Sequence, residues 1–291
     1  MRVVLLGLVA ALAPNFWASW GDGQGELTGY QLTQQRYGET RSGTAVMVFV
    51  TEPWSQSARV KADDGKHPPQ DVLQVMKLNL VEDFQTGIYD YNLMTSMFVG
   101  VETGAPLKLA FGAQEWCGQA MELAWWKQDG QVTTERHSYF DGEGDQAGAL
   151  DGRGVVFGDL MFHLARGFAA GLPAPGQTVE VKAVPRFKEL RLLHKVLTPL
   201  PATLSRGRSA ERIKTPAGTF SAEKVTLAIQ GGTTMHVWVE QDGARRVVAW
   251  EVVGQERAEM TGRFRDAYWG HHNNGDEALL SRLGLKAARM R

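Results

Sequence analysis

Residues 113–146 read AQEWCGQAMELAWWKQDGQVTTERHSYFDGEGDQ, with a turn at Gln128-Asp129-Gly130 between two alternating runs. On the first arm Met121, Leu123 and Trp125 share a face. On the second, Val132, Thr134, Arg136, Ser138 and Phe140 alternate with Thr133, Glu135, His137 and Tyr139. Strand side chains repeat every two residues, and Asp-Gly readily adopts the positive φ that a tight hairpin turn needs. The stretch therefore predicts a central β-hairpin.

Alternation continues on both sides of the hairpin. Before it, 26–35 and 43–51 form a strand pair around Tyr37-Gly38-Glu39; 72–81, 83–101 and 107–111 read as further strands, and 55–71 as a polar loop. After it, 179–184, 187–196, 211–215, 220–229, 235–240 and 247–253 are strand-like, with a turn at Pro216-Ala217-Gly218. Phe157, Leu160, Met161, Leu164 and Phe168 recur at helical spacing and predict one amphipathic helix near 157–170, closed by Gly171 and Pro173, with His163 off its apolar stripe and solvated. Asn274, three residues before Glu277, predicts a short C-terminal helix. The expected fold is mainly β, antiparallel sheets forming a rolled sheet, barrel or sandwich, because strands about 8 to 12 residues apart disfavour a βαβ order. The expected organisation is a signal peptide at 1–18, an N-terminal β part at 19–150, a helix plus C-terminal β part at 151–270, either separate from the first part or one continuous domain with it, and a tail or helix at 271–291.

Composition narrows function. The 291 residues carry 31 Lys plus Arg against 32 Asp plus Glu, so no global field favours a polyanion, and nucleic-acid binding is not expected. A single cysteine, Cys117, excludes an intramolecular disulfide framework. Arg2, the apolar run 3–13 and the small residues behind it read as an export signal; a cut after Ala13 fits the small-x-small rule but places Pro14 next, and a cut after Ala18 places bulky Phe16 three residues back. The run is too short to span a bilayer, which takes about 20 residues, and no cysteine follows it to carry a lipid. The expectation is thus an exported, periplasmic or envelope protein with no membrane span in the mature chain.

Three groups can carry chemistry. Cys117 with His137, oriented by Glu115 or Asp145, has the residue types of a cysteine hydrolase, although the hairpin register sets Cys117 opposite about 141–143 and favours a buried apolar thiol. Asp141, Glu143 and Asp145 alternate with glycines and offer three carboxylates to a hard cation such as Ca²⁺. Trp116, Trp125, Tyr89 and Tyr91 are the aromatic candidates for ligand contact. None of these sets is complete, and no cofactor is expected.

Tyr37-Gly38-Glu39, Lys77-Leu78-Asn79, Thr86-Gly87-Ile88-Tyr89-Asp90-Tyr91 with Thr95-Ser96, Trp116-Cys117-Gly118-Gln119, and Ser138-Tyr139-Phe140 with Glu143-Gly144-Asp145-Gln146 together resemble a family of uncharacterised exported bacterial proteins, whose members often carry the automatic label "septum formation inhibitor Maf". The Ser-x-Ser-Pro-Arg-Arg-like loop of the Maf nucleotide pyrophosphatases is missing from the chain, so that activity does not follow. Thr215-Pro216-Ala217-Gly218-Thr219-Phe220, Val237-Trp238-Val239 and 247–251 are similar to the C-terminal part of periplasmic β proteins of unknown function. The resemblance implies no catalytic residue. The expected role is non-enzymatic binding of an apolar small molecule or an envelope protein, on sheets with apolar inner faces.

Overall fold

The structure, a computed structural model, describes residues 16–286. The export signal expected at 1–18 therefore lies outside the described residues, save for its last three. In chain order the elements are α1 (Phe16–Trp20), β1 (Gly25–Arg36), β2 (Glu39–Ser55), β3 (Val60–Lys61), β4 (Val72–Thr86), β5 (Tyr89–Gly100), β6 (Pro106–Glu115), β7 (Gly118–Trp126), β8 (Gln131–Ser138), β9 (Gln146–Asp151) and β10 (Val155–Phe157). Then come α2 (Met161–Arg166), β11 (Thr178–Val184), α3 (Phe187–Leu192), β12 (Leu200–Arg206), β13 (Glu211–Thr215), β14 (Gly218–Ile229), β15 (Thr234–Glu240), β16 (Val247–Val252) and β17 (Glu256–Asp266). Short 3₁₀ segments cover Gly158–Leu160 and Asp276–Leu283.

One sheet holds all the strands. Neighbours run β9-β8-β7-β6-β5-β4-β2-β1-β17-β16-β15-β14-β12-β11-β10, with β3 alongside β2 and β13 alongside β14. All pairs are antiparallel except β10 with β11. The row curls into a nearly closed barrel whose two ends, β9 and β10, are consecutive in sequence but unpaired among the described residues. The hairpin turn falls where the sequence places it: Trp126 pairs with Val132, and Gly130 has a φ of 86°.

Four expectations change. The segment 83–101 is two strands, not one, because Gly87, with φ 59°, turns the chain between β4 and β5. The helix near 157–170 is a 3₁₀ turn followed by α2, closed by Gly167 in the left-handed region and not by Gly171. All six residues of α2 are buried, so His163 lies in the core and is not solvated. The segment 187–196 is not a strand: α3 forms there, its Phe187 N–H capped by Asp159 Oδ2 at 3.0 Å and its first turn stapled by an Arg186–Glu189 ion pair at 2.9 Å. Alternating polar and apolar residues disguised a six-residue helix that is buried on every side.

The fully buried helices α2 and α3 sit inside the barrel and plug it. Met121, Leu123 and Trp125 do share a face, but it is the outer one; Ala120, Glu122 and Ala124 point inward. The apolar lumen expected from the sequence is thus only half of the interior. Around Tyr30, Leu78, Phe111, Trp250 and their neighbours the core is apolar. Across it run buried charges, among them Glu26, Glu82, Glu122, Arg166, Arg186 and Lys188.

On the outer wall the C-terminal 3₁₀ segment seals Leu27 and Val48 beneath Leu283. It lies so close that a Cβ at Gly29 would sit 2.2 Å from the Leu283 carbonyl oxygen. Gly29→Ala should therefore displace the segment at a cost of about 1–3 kcal/mol. Amide exchange at 276–285 should speed up while the barrel amides stay protected, and unchanged exchange there would count against the contact.

Candidate functional site at the mouth of the barrel

The turns after β1, β4, β6 and β8 all open on one end of the barrel, fixed there by the antiparallel register. Four of the sequence motifs named above lie on these turns, although they are far apart in the chain. Tyr91 points inward just below this mouth and stacks on Phe84 at 4.7 Å, with its hydroxyl 2.9 Å from that of Tyr37. Arg36 donates to the Tyr91 hydroxyl at 3.2 Å and to the Leu192 carbonyl at 2.7 Å, tying the β1–β2 tip to the end of α3. Burial holds the Tyr91 phenol well above its ordinary range. Tyr89 packs against the core edge beside Tyr91, ring centroids 6.0 Å apart.

At the same level, since Glu115 lies opposite Tyr91 in register, Arg191 pairs with Glu115, and the Phe140 ring covers its guanidinium at 3.6 Å. Glu122 and Arg136, facing partners on β7 and β8, form an ion pair at 2.9 Å; burial pushes the Glu122 carboxyl up against the pull of Arg136. Further down, Lys188 lies between Glu82 at 2.7 Å and Glu256, and Arg186 contacts Glu256 at 2.8 Å and Glu189 at 2.9 Å. Burial raises Glu82, whereas Arg186 and Lys188 outweigh burial at Glu256 and lower it to about 2. Asp159, fully buried near these acids, is pushed up to about 7. Near the other end Arg166 bonds Glu26 at 2.6 Å beneath the face of Phe49. Asp159 only accepts the Phe187 N–H, whereas each of the other acids here has a cationic partner, as a low-dielectric interior requires.

The candidate residues from the sequence separate. Cys117 is exposed on the β6–β7 turn, not buried as an apolar thiol. His137 faces Met121 across β7, four residues along the strand from Cys117 and thus about 13 Å away. Its Nδ1–H is 2.9 Å from Asp145 Oδ1, so the imidazole and a carboxylate meet without the thiol. Glu143 is buried and occupied by His194 Nδ1–H at 2.5 Å and the Ser138 hydroxyl at 3.2 Å, while Asp141 is exposed. Glu143 and Asp145 are thus held by different partners, and Asp141 stands in solvent. Among the described residues no group of three or more His, Cys, Asp or Glu side chains is placed to hold a metal ion. Trp116 stands exposed at the mouth, and Trp125 lies at the far end of β7 on the outer wall, 5.4 Å from the Arg59 guanidinium.

Sequence reasoning missed the interior ion pairs. Their signal was present: Glu82 keeps the phase of Leu78, Leu80 and Phe84, and Glu26 that of Thr28, Tyr30 and Leu32. A carboxylate in phase with an apolar face needs a buried cation, and Arg186-Phe187-Lys188 supplies two.

No protein-family model matches the chain, and no curated protein matches it. Among solved structures it is similar to the crystal structure of a β-barrel-like protein of a domain of unknown function from Brucella abortus, at 10% identity and a TM-score of 0.47, over 83% of this chain and 97% of that one. Among the described residues no helix is long and apolar enough to cross a membrane.

Proposed function

We infer that this is an exported, non-enzymatic protein of the cell envelope that binds a partner at the mouth of its barrel. The observation that carries this reading is where the exposed apolar side chains collect. Tyr37, Ile88, Trp116 and Tyr139 stand on the mouth turns, and Val253, at the end of β16, joins them. Monomeric proteins rarely leave such a concentration of large apolar groups to water unless something covers it, and Trp and Tyr are the side chains most used to anchor interfaces. The filled lumen favours a partner at the mouth over an apolar ligand inside. Against the hydrolase alternative stands the gap between Cys117 and His137; Cys117→Ala should leave the protein's behaviour unchanged.

A second observation supports the apolar-ligand alternative elsewhere. A groove of about 400 Å³ runs beside the C-terminal segment, floored by Leu27, Phe264 and Leu283 and lipped by His271, Asn273 and Glu277. An apolar floor with a few polar groups at its edge is the usual make-up of a small-molecule site.

Export rests on the leader at 1–18. A cut after Ala13 would keep Phe16 and Trp20, which pack against Phe168 at 6.1 and 5.5 Å, in the mature protein. N-terminal sequencing of the secreted chain decides between this cut, which begins the mature protein at Pro14, and one after Ala18, which begins it at Ser19 and removes Phe16.

For the mouth, a photocrosslinking residue in place of Trp116 should give one discrete envelope adduct in the source cells. The same residue in place of Val60, exposed elsewhere, should give none. No adduct from Trp116, or equal adducts from both positions, sinks the reading.

A further inference from the structure

We propose that the outer edge of β9 is a docking site for one extended, strand-forming segment of a partner protein, which would be added to the barrel at its open seam. Among the described residues β9 pairs only with β8, so one edge of the strand is bare along its length. In an antiparallel strand every second residue turns its N–H and C=O away from the existing neighbour. Only another extended backbone presents the matching row of acceptors and donors, which is how strand addition recognises a peptide.

The edge lacks the usual protections. Proteins guard bare edges with lysine, proline, bulges or a covering element. Gln146-Ala147-Gly148-Ala149-Leu150-Asp151 contains no lysine or proline and pairs without a register shift, and its first four residues are exposed. Ala147, Gly148 and Ala149 leave room for a second chain to approach.

The space beside the edge has the shape and chemistry of a slot for alternate side chains. A cavity of about 200 Å³ lies there, against the inner face of β7, β8 and β9 and reaching the β9 edge, with Val196, Leu197 and Pro199 forming its opposite wall. Phe187 and the Glu122–Arg136 pair also line it. Val196 is 74% exposed although it is a large apolar residue. Inward-facing positions of the added strand would meet mainly apolar walls. On the outside, Glu135, in register with Ala147, has no ion-pair partner among the described residues and favours a cationic residue there. The occupant is thus a segment with apolar residues at alternate positions and a Lys or Arg between them. This site borders the β8–β9 mouth turn but includes none of Tyr37, Ile88, Trp116 or Tyr139, and it stands whether or not the mouth binds anything.

The test pans a displayed library of random peptides, about nine residues long, against the full chain, and measures amide exchange of the complexes. Recovered peptides should alternate apolar and polar residues, slow exchange of the 146–151 amides about tenfold, and leave other amides unchanged. They should bind Trp116→Ala as they bind the parent chain. Ala149→Pro, which removes an N–H and obstructs pairing, should weaken them about tenfold or more, and so should Val196→Asp, which spoils the slot wall without touching the β8–β9 pairing. Three results overturn the proposal: recovered peptides without two-residue periodicity, unaltered exchange at 146–151, or protection that appears without peptide and grows with protein concentration. The last would make a second copy of the chain the occupant.

Discussion

Lys188→Met should cost the fold about 3–5 kcal/mol, because it leaves Glu82 and Glu256 facing one another in the core without their shared cation. Arg186 remains, but it already contacts Glu256 and Glu189 and lies 3.8 Å from Glu82. Denaturant unfolding of the two chains measures the loss. Adding Glu82→Gln to the variant should restore much of it, since a neutral amide in place of a carboxylate no longer needs a cation. A loss below about 1 kcal/mol in the single variant would mean that water reaches the network, and the interior would not be the sealed plug described above.

The second large effect is masked in the parent protein. Asp159, raised to about 7 by burial, holds its proton more tightly folded than unfolded. Its contribution to stability is complete below about pH 4 and is lost as pH rises to about 7. His163, lowered to about 3 by burial, does the reverse: its contribution is complete above about pH 6.5 and is lost as pH falls toward 3. Between about pH 4 and 6.5 the two slopes, each about 1.4 kcal/mol per pH unit, cancel. Substitution should uncover them. Relative to the parent, Asp159→Asn should lose about 3 kcal/mol on acidification across that window, and His163→Gln should gain about as much. Asn can still accept the Phe187 N–H, and Gln can still donate to the Met76 carbonyl that His163 Nε2 contacts at 3.1 Å. Difference curves of unfolding free energy against pH that are flat for both variants would show that neither group is held as its burial implies.

The wall of the barrel was legible in the sequence to a different degree from its contents. Asp129-Gly130 and Pro216-Ala217-Gly218 mark turns by backbone conformation alone, and period-two runs such as 72–81 are local properties, so these strands stand where the residues put them. Gly87 was harder to read, because aromatic residues on both sides of it favour strand regardless of whether one strand or two is present. The segment 187–192 forms a helix for reasons outside itself: Asp159 caps it, and Glu82 and Glu256 wait for its Lys188. Its periodicity carries none of that. For the mouth, the residues were visible and their grouping was not. Tyr37, Tyr89, Trp116 and Tyr139 converge only through strand register, and the same register keeps Cys117 from His137.

The wall is joined by its first long strand and its last, since β1 lies between β2 and β17, with Gly25 opposite Asp266. A chain made from its N-terminus therefore carries one flank of β1 unsatisfied until nearly all of its length has been synthesised. During that interval the flank can recruit any passing strand, so assembly of this molecule should be most vulnerable to clumping when synthesis stalls late, and should benefit from a holdase that shields Tyr30 and Leu32 until residues 256–266 arrive.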